Sequence, residues 1–572
     1  MARARTRGTL LLAAFSVAAF GFAQTGPAVT SADAALQLAV AYPQDGNHAA
    51  ALMTFDDTHE HRHDGGVELV LWPGDLARLE ATGMPFDITV EDVAAAESAE
   101  VELPPLPDIP GGTDDYRDLD QMYAELDALE AASETIDELT VDVQTRPHAS
   151  FEGRDIELVE IFKGDGYDGR PVAFIDGIHH AREWPAAEYP MIFAHHLVEN
   201  HDDARVDALL RKVRVVIVPV VNVDGFVYSR SWANSTLDSS SLGIVAGGQG
   251  AYVRKSKRNN PATETGTDSP VFYGVDPNRN YAYLWGGTTG SIANGVDFPL
   301  FASTSLNPFD QTFHGHDAFT EPEVVNNREY FLANNVITYL SNHTSGRLVL
   351  RPWGHTTEPA PDDAILTDLG QQLADAMIGA GFETPYENKI GLGLYPTLGT
   401  SNDWAYAATG TLGYVIEHST EFHPRWNTRH APGQVWPYAV EMFMRAAEAA
   451  ADPAHSGVLE GTVTDANGDP VAATLTLTKT FTTPYAGDEF QNTGATLSLA
   501  DGVTETQTLT LETDGTFRWF LNPSTRPIAE LGGEEETYTL TVTPADGSEV
   551  PTEVMQLVLH RGETVELDLT VQ

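Results

Sequence analysis

Residues 172–184 read VAFIDGIHHAREW, and this stretch decides the fold class. Its first four residues are apolar, as expected of a strand that is buried on both faces of a sheet. Polar residues follow at once, and His180 and Glu183 stand three residues apart, a spacing that directs both side chains to one side of a helical turn. Such a pair also occurs by chance in surface segments. At the C-terminal end of a buried strand, where α/β proteins place their active sites, it predicts two ligands of a metal ion.

A second apolar segment also ends in a histidine. Residues 336–346 read VITYLSNHTSG, which places His343 at the end of a predicted strand. A single histidine is more often a hydrogen-bonded core residue than a ligand. Together with His180 and Glu183, however, it completes a His₂Glu zinc site that keeps one position for water. Because the chain contains no cysteine, thiolate metal sites are excluded, and we expect one Zn²⁺ per chain.

Further stretches carry candidate substrate-binding and catalytic groups. In DPNRNY at 276–281, Asn278 stands beside Arg279, whose guanidinium suits a planar carboxylate. Glu417 ends another apolar segment and is a candidate general base. Tyr395 lies in a glycine-containing stretch suited to a mobile flap.

The rest of the chain predicts three folded units. Residues 113–452 alternate helices with apolar strands, which predicts an α/β domain with a mixed central sheet and helices on both faces. Residues 457–572 alternate apolar and polar side chains, as in ATLTLT at 473–478, and predict a β-sandwich. Residues 46–102 predict a small α+β domain, followed by a proline-rich linker over 103–112.

The hydrophobic pattern of residues 24–102 predicts the elements of the N-terminal unit. We expect a flexible lead-in over 24–45, strands over 51–55, 67–72 and 86–90, and a helix over 73–80. This order of strand, strand, helix and strand is typical of a compact α+β unit.

The N-terminus is typical of a secretory signal. Three arginines precede an apolar segment over 10–22, and small residues follow, so a signal peptide is predicted over 1–23. No later segment approaches the ~20 apolar residues of a membrane span. We therefore expect a secreted protein, extracellular or periplasmic.

The composition is strongly acidic. The 572 residues include 83 Asp and Glu against 32 Lys and Arg, a formal net charge of −51. Such a charge excludes non-specific binding to nucleic acid. Only six basic residues are lysine. Both a surface adapted to high salt and an ordinary acidic secreted protein fit this composition.

Together the motifs resemble the zinc carboxypeptidase family of pancreatic type A and B enzymes and their bacterial relatives. The resemblance covers roughly residues 113–450 and implies a carboxypeptidase-like fold. It implies a hydrolase that removes the C-terminal residue of peptides and proteins, with a glutamate base acting on a water held by zinc. His180, Glu183 and His343 match the metal ligands.

The resemblance also implies roles for the other motif residues. Asp276 would orient the first zinc histidine, Arg182 would bind the substrate carbonyl, and Glu417 would be the catalytic glutamate. The residues that would hold the terminal carboxylate are Asn278, Arg279 and the flap tyrosine Tyr395.

Two positions depart from the family pattern: Ser345, which stands two residues after His343 where pancreatic enzymes carry a tyrosine, and Lys257. An oxyanion arginine is expected three residues after Arg254, where Lys257 stands, so Lys257 or Arg258 would take this role. The resemblance also implies that Asn402 would lie at the floor of the side-chain pocket, where a neutral amide favours uncharged C-terminal residues.

The appended units and two alternatives complete the prediction. Residues 46–102 resemble the family's prosegment, and residues 457–572 resemble a transthyretin-like sandwich, for which no partner is predicted. A cell-wall amidase of the same fold is an alternative, but Asn278, Arg279 and Tyr395 favour ordinary peptides. A catalytically silent binding protein is another, against which the complete ligand set and Glu417 argue.

Overall fold

The computed structural model describes most of the chain, in ranges separated by gaps. These ranges are 35–52, 55–61, 66–98, 108–164, 169–231, 249–258, 274–286, 304–305, 308, 310–379, 386–426, 431–485, 498–528, 535–545 and 554–571. The predicted signal peptide, 1–23, and residues 103–107 of the predicted linker lie outside them.

Helices and strands alternate through the middle of the chain, and strands dominate its end. The α-helices are α1 (Gly46–Leu52), α2 (Asp75–Thr82), α3 (Val93–Ser98), α4 (Leu119–Ser133), α5 (Pro185–Glu199), α6 (Ala204–Leu210), α7 (Val223–Arg230), α8 (Pro322–Ala333), α9 (Asp363–Gly379), α10 (Ser401–Thr409) and α11 (Pro432–Ala450). Short 3₁₀ helices cover Gln249–Tyr252, Pro277–Arg279, Gly391–Gly393 and Pro453–His455. The strands are β1 (Gln37–Ala41), β2 (Asp56–His61), β3 (Val67–Leu71), β4 (Phe86–Val90), β5 (Leu139–Thr145), β6 (Glu157–Lys163), β7 (Val172–Gly177), β8 (Arg214–Val218), β9 (Val336–Thr344), β10 (Leu348–Arg351), β11 (Glu387–Ile390), β12 (Leu412–His418), β13 (Gly457–Thr464), β14 (Ala473–Tyr485), β15 (Ser498–Thr513), β16 (Thr516–Leu521), β17 (Tyr538–Pro544), β18 (Val554–Leu557) and β19 (Thr564–Thr570).

Strands β5 to β12 form one mixed sheet in the order β11-β10-β12-β9-β7-β8-β6-β5. Its central strands β12, β9, β7 and β8 are parallel, whereas β10 and β6 run antiparallel to their inner neighbours. Every residue of β7, β9 and β12 is buried, which explains why these strands appear as apolar runs in the sequence. With helices on both faces, the sheet confirms the predicted mixed α/β fold.

The parallel strands bring their C-terminal ends to one edge of the sheet. His343 of β9 is in register with Glu417 of β12, and Asn342 is in register with Gly177 at the end of β7. Polar residues that follow β7, β9 and β12 in the sequence are therefore neighbours in space.

An antiparallel sheet in the order β2-β3-β1-β4 precedes the central mixed sheet. The predicted flexible lead-in is wrong over Gln37–Ala41, because β1 lies between β3 and β4. The predicted strand over 51–55 is wrong at Ala51 and Leu52, which end α1. Alanine-rich segments favour a helix, and a short apolar run alone does not distinguish helix from strand.

The C-terminal strands form two sheets, β16-β13-β19 and β15-β14-β17-β18. Side chains from both enclose a separate apolar core that includes Leu475, Trp519 and Leu540. Across the described ranges, no helix combines the length and apolar character needed to cross a membrane.

Candidate metal centre and substrate cleft

Three buried side chains converge at the C-terminal edge of the central sheet. His180 Nδ1 lies 2.7 Å from Glu183 Oε1, and His343 Nδ1 lies 2.9 Å from Glu183 Oε2. The two histidine Nδ1 atoms are 3.1 Å apart. All three residues are at most 3% exposed, and one donor atom from each lies within 4.8 Å of the others.

Local structure holds the first two of these residues. β7 ends at Gly177, where a Cβ atom would lie 2.1 Å from the carbonyl oxygen of Ala186, so only glycine lets the strand pass this close to α5. The chain then turns, with the Glu183 N–H donating to the His180 carbonyl at 3.2 Å. Pro185 begins α5 directly afterwards. His180 and Glu183 therefore lie in a single turn before the helix.

The donor set fits a zinc ion. Two imidazole nitrogens and a carboxylate pointing at one another are the His₂Glu ligands of catalytic zinc. Burial, with the nearby Arg254 charge, lowers the pKa of His180 to about 3, so its imidazole is neutral as a metal ligand must be. Without a cation, the buried Glu183 carboxylate would face the uncharged rings of His180 and His343 at 2.7 and 2.9 Å, which is unfavourable.

Asp276 and Arg254 support the His180 side of the cluster. Asp276 Oδ1 lies 3.2 Å from His180 Nε2, and Arg254 Nε donates to Asp276 Oδ2 at 2.9 Å. Arg254 Nη1 also lies 4.0 Å from Glu183 Oε1. Burial by itself would raise the pKa of Asp276, but Arg254 and His180 hold that pKa well below its usual range. The ionised carboxylate therefore lies against His180 Nε2, on the side of the ring away from Glu183.

A polar layer lies beneath His343. Its Nε2 is 3.2 Å from Ser341 Oγ, which in turn lies 3.3 Å from Nδ1 of His179. Asp176 is buried beside them and accepts a hydrogen bond from Tyr339 at 2.9 Å. Burial raises the pKa of Asp176 to about 8. Ser341 and His343 lie two residues apart on β9 and so share one face of the sheet. This spacing in the sequence could have identified Ser341 as a neighbour of His343.

The residues predicted to bind a carboxylate lie next to the cluster. Asp276 caps the 3₁₀ helix Pro277–Arg279 by accepting from the Asn278 N–H at 3.0 Å. Asn278 Nδ2 lies 3.3 Å from His343 Nε2, and Arg279 Nη2 donates to the Tyr395 hydroxyl at 3.4 Å. Asn278 and Arg279 are 4% and 1% exposed. The structure thus brings Asn278, Arg279 and Tyr395 together beside the metal ligands.

Glu417 stands opposite His343 and beside a small apolar cluster. Leu348, Leu350 and Val415 are buried together, with Leu394 packed against them, apart from the main core. In the sheet register, Leu348 pairs with Glu417 and Leu350 with Val415. Because alternate residues of a strand share a face, this apolar surface and Glu417 face the same side of the sheet.

Asn402 lies in the first turn of α10 at the same side of β12. It is 5% exposed, and a Cβ atom on Gly413 would contact its Cα and Cβ at 3.4 Å. Gly413, Val415 and Glu417 alternate along β12 and so share one face. Asn402, the apolar cluster and Glu417 therefore follow one another along this strand.

Arg182 is paired with the N-terminal sheet. Its guanidinium donates two hydrogen bonds to the Asp56 carboxylate, at 2.5 and 2.9 Å, and lies 4.1 Å from the centre of the Phe422 ring. Asp56 also accepts from Trp72 Nε1 at 3.0 Å. Arg182 is 0% exposed and Asp56 is 8% exposed. The sequence motif identified Arg182 but carried no signal for Asp56, which lies 126 positions away.

Lys257 and Arg258 are not brought to the metal cluster. Lys257 Nζ lies 3.7 Å from the centre of the Tyr228 ring, and burial lowers its pKa to about 8. Arg258 donates to the Thr320 carbonyl and lies 3.4 Å from Glu321. In place of the predicted Lys257 or Arg258, the structure turns Arg254 towards the metal cluster. Residues 254–258 read RKSKR, and the sequence alone does not indicate which of these four basic side chains points towards the metal ligands.

Comparison with known proteins agrees with this geometry. The zinc carboxypeptidase family model matches residues 126–436, more than half of the chain. Carboxypeptidase B of Astacus astacus is 30% identical over 312 residues, covering 53% of this chain and 86% of the relative. Carboxypeptidase A1 of Rattus norvegicus is 27% identical over 350 residues, covering 60% and 73%.

Solved structures share the fold. Carboxypeptidase A from Helicoverpa armigera superposes with a TM-score of 0.55 at 20% identity, covering 73% of this chain and 97% of that one. Thrombin-activatable fibrinolysis inhibitor gives a TM-score of 0.55 at 18% identity, with 73% and 98% coverage. These two likenesses concern the fold alone. Since the matched segment of the family model also contains the buried His₂Glu cluster, the protein belongs to the zinc carboxypeptidase family and is a metallocarboxypeptidase that uses one Zn²⁺.

Proposed function

We propose that the protein hydrolyses the C-terminal peptide bond of peptides and proteins, with His180, Glu183 and His343 as the zinc ligands. The observation that carries this proposal is the His₂Glu cluster with Glu417 in register opposite His343. Zinc bound by these residues supplies Lewis acidity to the scissile carbonyl and lowers the pKa of a water molecule.

Glu417 is the proposed general base. It takes a proton from the attacking water and delivers that proton to the nitrogen of the leaving residue. Its position at the end of β12 holds the carboxylate on a rigid strand, 4% exposed, rather than on a loop.

Arg254 is the proposed donor to the developing oxyanion. Its guanidinium is 1% exposed and fixed by Asp276, so it needs no reorganisation during the reaction. Burial opposes the charge of Arg254, but Asp276, Tyr395 and Glu183 together raise its pKa, so the guanidinium stays charged. Arg182 is the proposed second contact to a substrate carbonyl, once it is released from Asp56.

Asn278, Arg279 and Tyr395 are the proposed site for the substrate's terminal carboxylate. The Arg279 guanidinium lies 3.4 Å from the Tyr395 hydroxyl and next to Asn278 in the chain, so a guanidinium, an amide and a hydroxyl are available to donate to one anion. An internal peptide bond offers no such anion, so this site supports exopeptidase rather than endopeptidase action. The same reasoning favours ordinary peptides over the γ-D-glutamyl bonds of the amidase alternative.

The side-chain pocket is proposed to favour uncharged residues. The apolar cluster of Leu348, Leu350 and Val415 lies between Asn402 and Glu417 along the face of β12 that carries Glu417. A neutral amide at Asn402 cannot offset the desolvation of a lysine or arginine side chain, which costs several kcal/mol without a counter-charge.

Residues 46–102 are proposed to act as an inhibitory prosegment. The pairing of Asp56 with Arg182 supports this, because it occupies a guanidinium that substrate would need. Cleavage in the linker over 103–112 would then release the enzyme, and residues 457–572 would remain as a sandwich domain. We also propose secretion, for which the predicted signal over 1–23 is the support; that segment lies outside the described residues.

Replacing Glu417 tests the mechanism. In protein cleaved in the linker and loaded with zinc, Glu417→Gln should lower kcat for a blocked dipeptide by about 10²- to 10⁴-fold. Zinc content should stay at one per chain, and a chelator should abolish wild-type activity. A variant with near wild-type kcat would refute the role of Glu417, and a wild type without hydrolysis would refute the proposed function.

A further inference from the structure

The C-terminal sandwich buries a carboxylate against the catalytic domain. Glu505 of β15 is 1% exposed, and both of its oxygens accept hydrogen bonds. Arg328 of α8 donates to Oε1 at 2.9 Å, whereas Oε2 accepts from Trp404 Nε1 of α10 at 3.3 Å and from Thr483 at 2.6 Å. Because a buried charge is costly without its partners, the carboxylate fixes α8 and α10 relative to the sandwich.

Helix α10 is in turn bonded to the segment that carries the proposed carboxylate site. The backbone N–H of Ser401, its first residue, donates to Asn278 Oδ1 at 2.9 Å. The Trp404 and Tyr281 ring centres are 5.7 Å apart, and the Tyr281 N–H donates to the Gly399 carbonyl at 3.0 Å. Any shift of α10 would therefore displace Asn278 and the neighbouring Arg279.

The sandwich holds the far end of the same segment as well. The carbonyl of Pro484, at the end of β14, accepts from the Leu284 N–H at 2.9 Å. The ring of Tyr485 lies 5.2 Å from that of Trp285, and its hydroxyl donates to Asp317 at 2.6 Å. Residues 278–285 are thus held by α10 on one side and directly by β14 on the other.

The interface continues at the start of β9, the strand that carries His343 at its other end. Asn522 Nδ2 donates to the Val336 carbonyl at 2.7 Å, and Asn335 Nδ2 donates to the Phe520 carbonyl at 2.7 Å. Phe481 of the sandwich belongs to the main apolar core. Buried side-chain bonds to backbone groups are typical of permanently packed units, since separation would leave polar groups unsatisfied.

We propose that Glu505 is a positioning residue for the terminal-carboxylate site and that the sandwich is a fixed part of substrate recognition. The inference rests on the proposed function, because it takes Asn278 and Arg279 as the groups that bind the carboxylate. Glu505 acts through Trp404 and α10 and does not itself touch the substrate.

The test compares Glu505→Gln with Glu512→Gln in the full chain cleaved in the linker. Glu512 lies on the same strand, is exposed, and accepts a hydrogen bond from the Thr474 hydroxyl within the sandwich. For a blocked dipeptide ending in Phe, Glu505→Gln should raise KM about 10-fold while kcat stays within about 2-fold, because misplacing a binding group weakens binding of the carboxylate. Inhibition by acetohydroxamate, a zinc ligand without a carboxylate, should not change.

The outcomes separate the inference from the proposed function. An inactive wild type would refute the proposed function and the inference with it. If the wild type is active but Glu505→Gln and Glu512→Gln have the same KM, the inference alone is overturned. The same holds if Glu505→Gln lowers kcat, raises KM and weakens acetohydroxamate inhibition together, because the whole site would then be disturbed. If Glu505→Gln does not fold, Trp404→Phe removes the indole N–H that binds Glu505 while keeping an aromatic ring beside Tyr281, and it should raise KM in the same way; an unchanged KM would again overturn the inference.

Discussion

Replacing Asp56 by asparagine should activate the full-length protein. The substitution keeps the shape of the side chain and one carbonyl oxygen, but it removes the charge and one of the acceptors that bind Arg182. Since both side chains are almost fully buried, solvent does not screen the interaction. The closed form, in which the N-terminal sheet occupies Arg182, should therefore become less favoured.

The size of the effect follows from the hydrogen bonds that the substitution removes or weakens. A hydrogen bond to a charged group contributes about 1.5 to 3 kcal/mol, so losing one bond and weakening the other should cost the closed form about 2 to 4 kcal/mol. At about 1.4 kcal/mol per tenfold change, the open population should rise about 30- to 700-fold. The gain cannot exceed the activity of protein cleaved in the linker, in which the N-terminal sheet is no longer attached.

The assay measures kcat/KM for a blocked dipeptide with intact full-length protein, and protein cleaved near Gly112 sets the upper limit. Asp87→Asn is the matched control, because Asp87 lies exposed on β4 of the same sheet. Full-length wild type should be less active than the cleaved form, and Asp56→Asn should lie between them. Equal activity of the full-length and cleaved wild types, or of Asp56→Asn and Asp87→Asn, would refute the reasoning.

Three further predictions concern the oxyanion site, specificity and pH. Arg254→Gln should lower kcat about 10²- to 10³-fold with zinc retained, while Lys257→Gln stays near wild type; the reverse result would reinstate the lysine. With Asn402 in the pocket, kcat/KM should be higher for substrates ending in Phe or Leu than in Lys or Arg, and a clear preference for Lys or Arg at high salt would contradict the pocket assignment. Burial lowers the pKa of Lys479 from 10.5 to about 7 in the folded protein. At pH values between these two pKa values, the unfolded chain binds one more proton than the folded chain. The free energy of unfolding of the wild type should therefore rise with pH over this range. In urea unfolding, the gain in unfolding free energy from Lys479→Met should therefore be largest near pH 7 and should fall towards pH 10 by at most about 1.4 kcal/mol per pH unit. The exposed Lys212→Met is the control, for which the difference from wild type should not depend on pH. A pH-independent difference for Lys479→Met would refute this.

The metal ligands could be predicted because local sequence and sheet topology agree. His180 and Glu183 follow β7 and His343 lies near the end of β9; both strands begin with apolar residues and are parallel, so the three ligands had to be neighbours if the sheet formed. The mixed sheet and the C-terminal β-sheets followed from hydrophobic periodicity in the same way.

The errors arose where tertiary contacts decide. The apolar run in β1 is too short to distinguish the strand from a lead-in, and β1 is stabilised by lying between β3 and β4. Arg254 could not be distinguished from the basic residues after it, since it is held inward by a contact with Asp276, 22 positions away in the sequence. The pairing of Asp56 with Arg182 depends on how two sheets pack, which no local pattern encodes.

The N-terminal sheet and the C-terminal sandwich contact the catalytic domain through different kinds of bonds. This difference predicts that the sheet can be released from the active enzyme and that the sandwich stays bound to it. The N-terminal sheet reaches the cleft through a side-chain ion pair, Asp56 with Arg182, and is followed by a proline-rich linker. The C-terminal sandwich is bonded to the backbone at Leu284 and Val336 and to Trp404 through a buried carboxylate. A side-chain pair can exchange for a substrate carbonyl without leaving backbone groups unsatisfied, whereas separating the sandwich would leave the backbone groups of Leu284 and Val336 and the Glu505 carboxylate without their partners. Cleavage of the linker should thus release an active enzyme, and removal of the sandwich should cost substrate binding even where the zinc ligands stay in place.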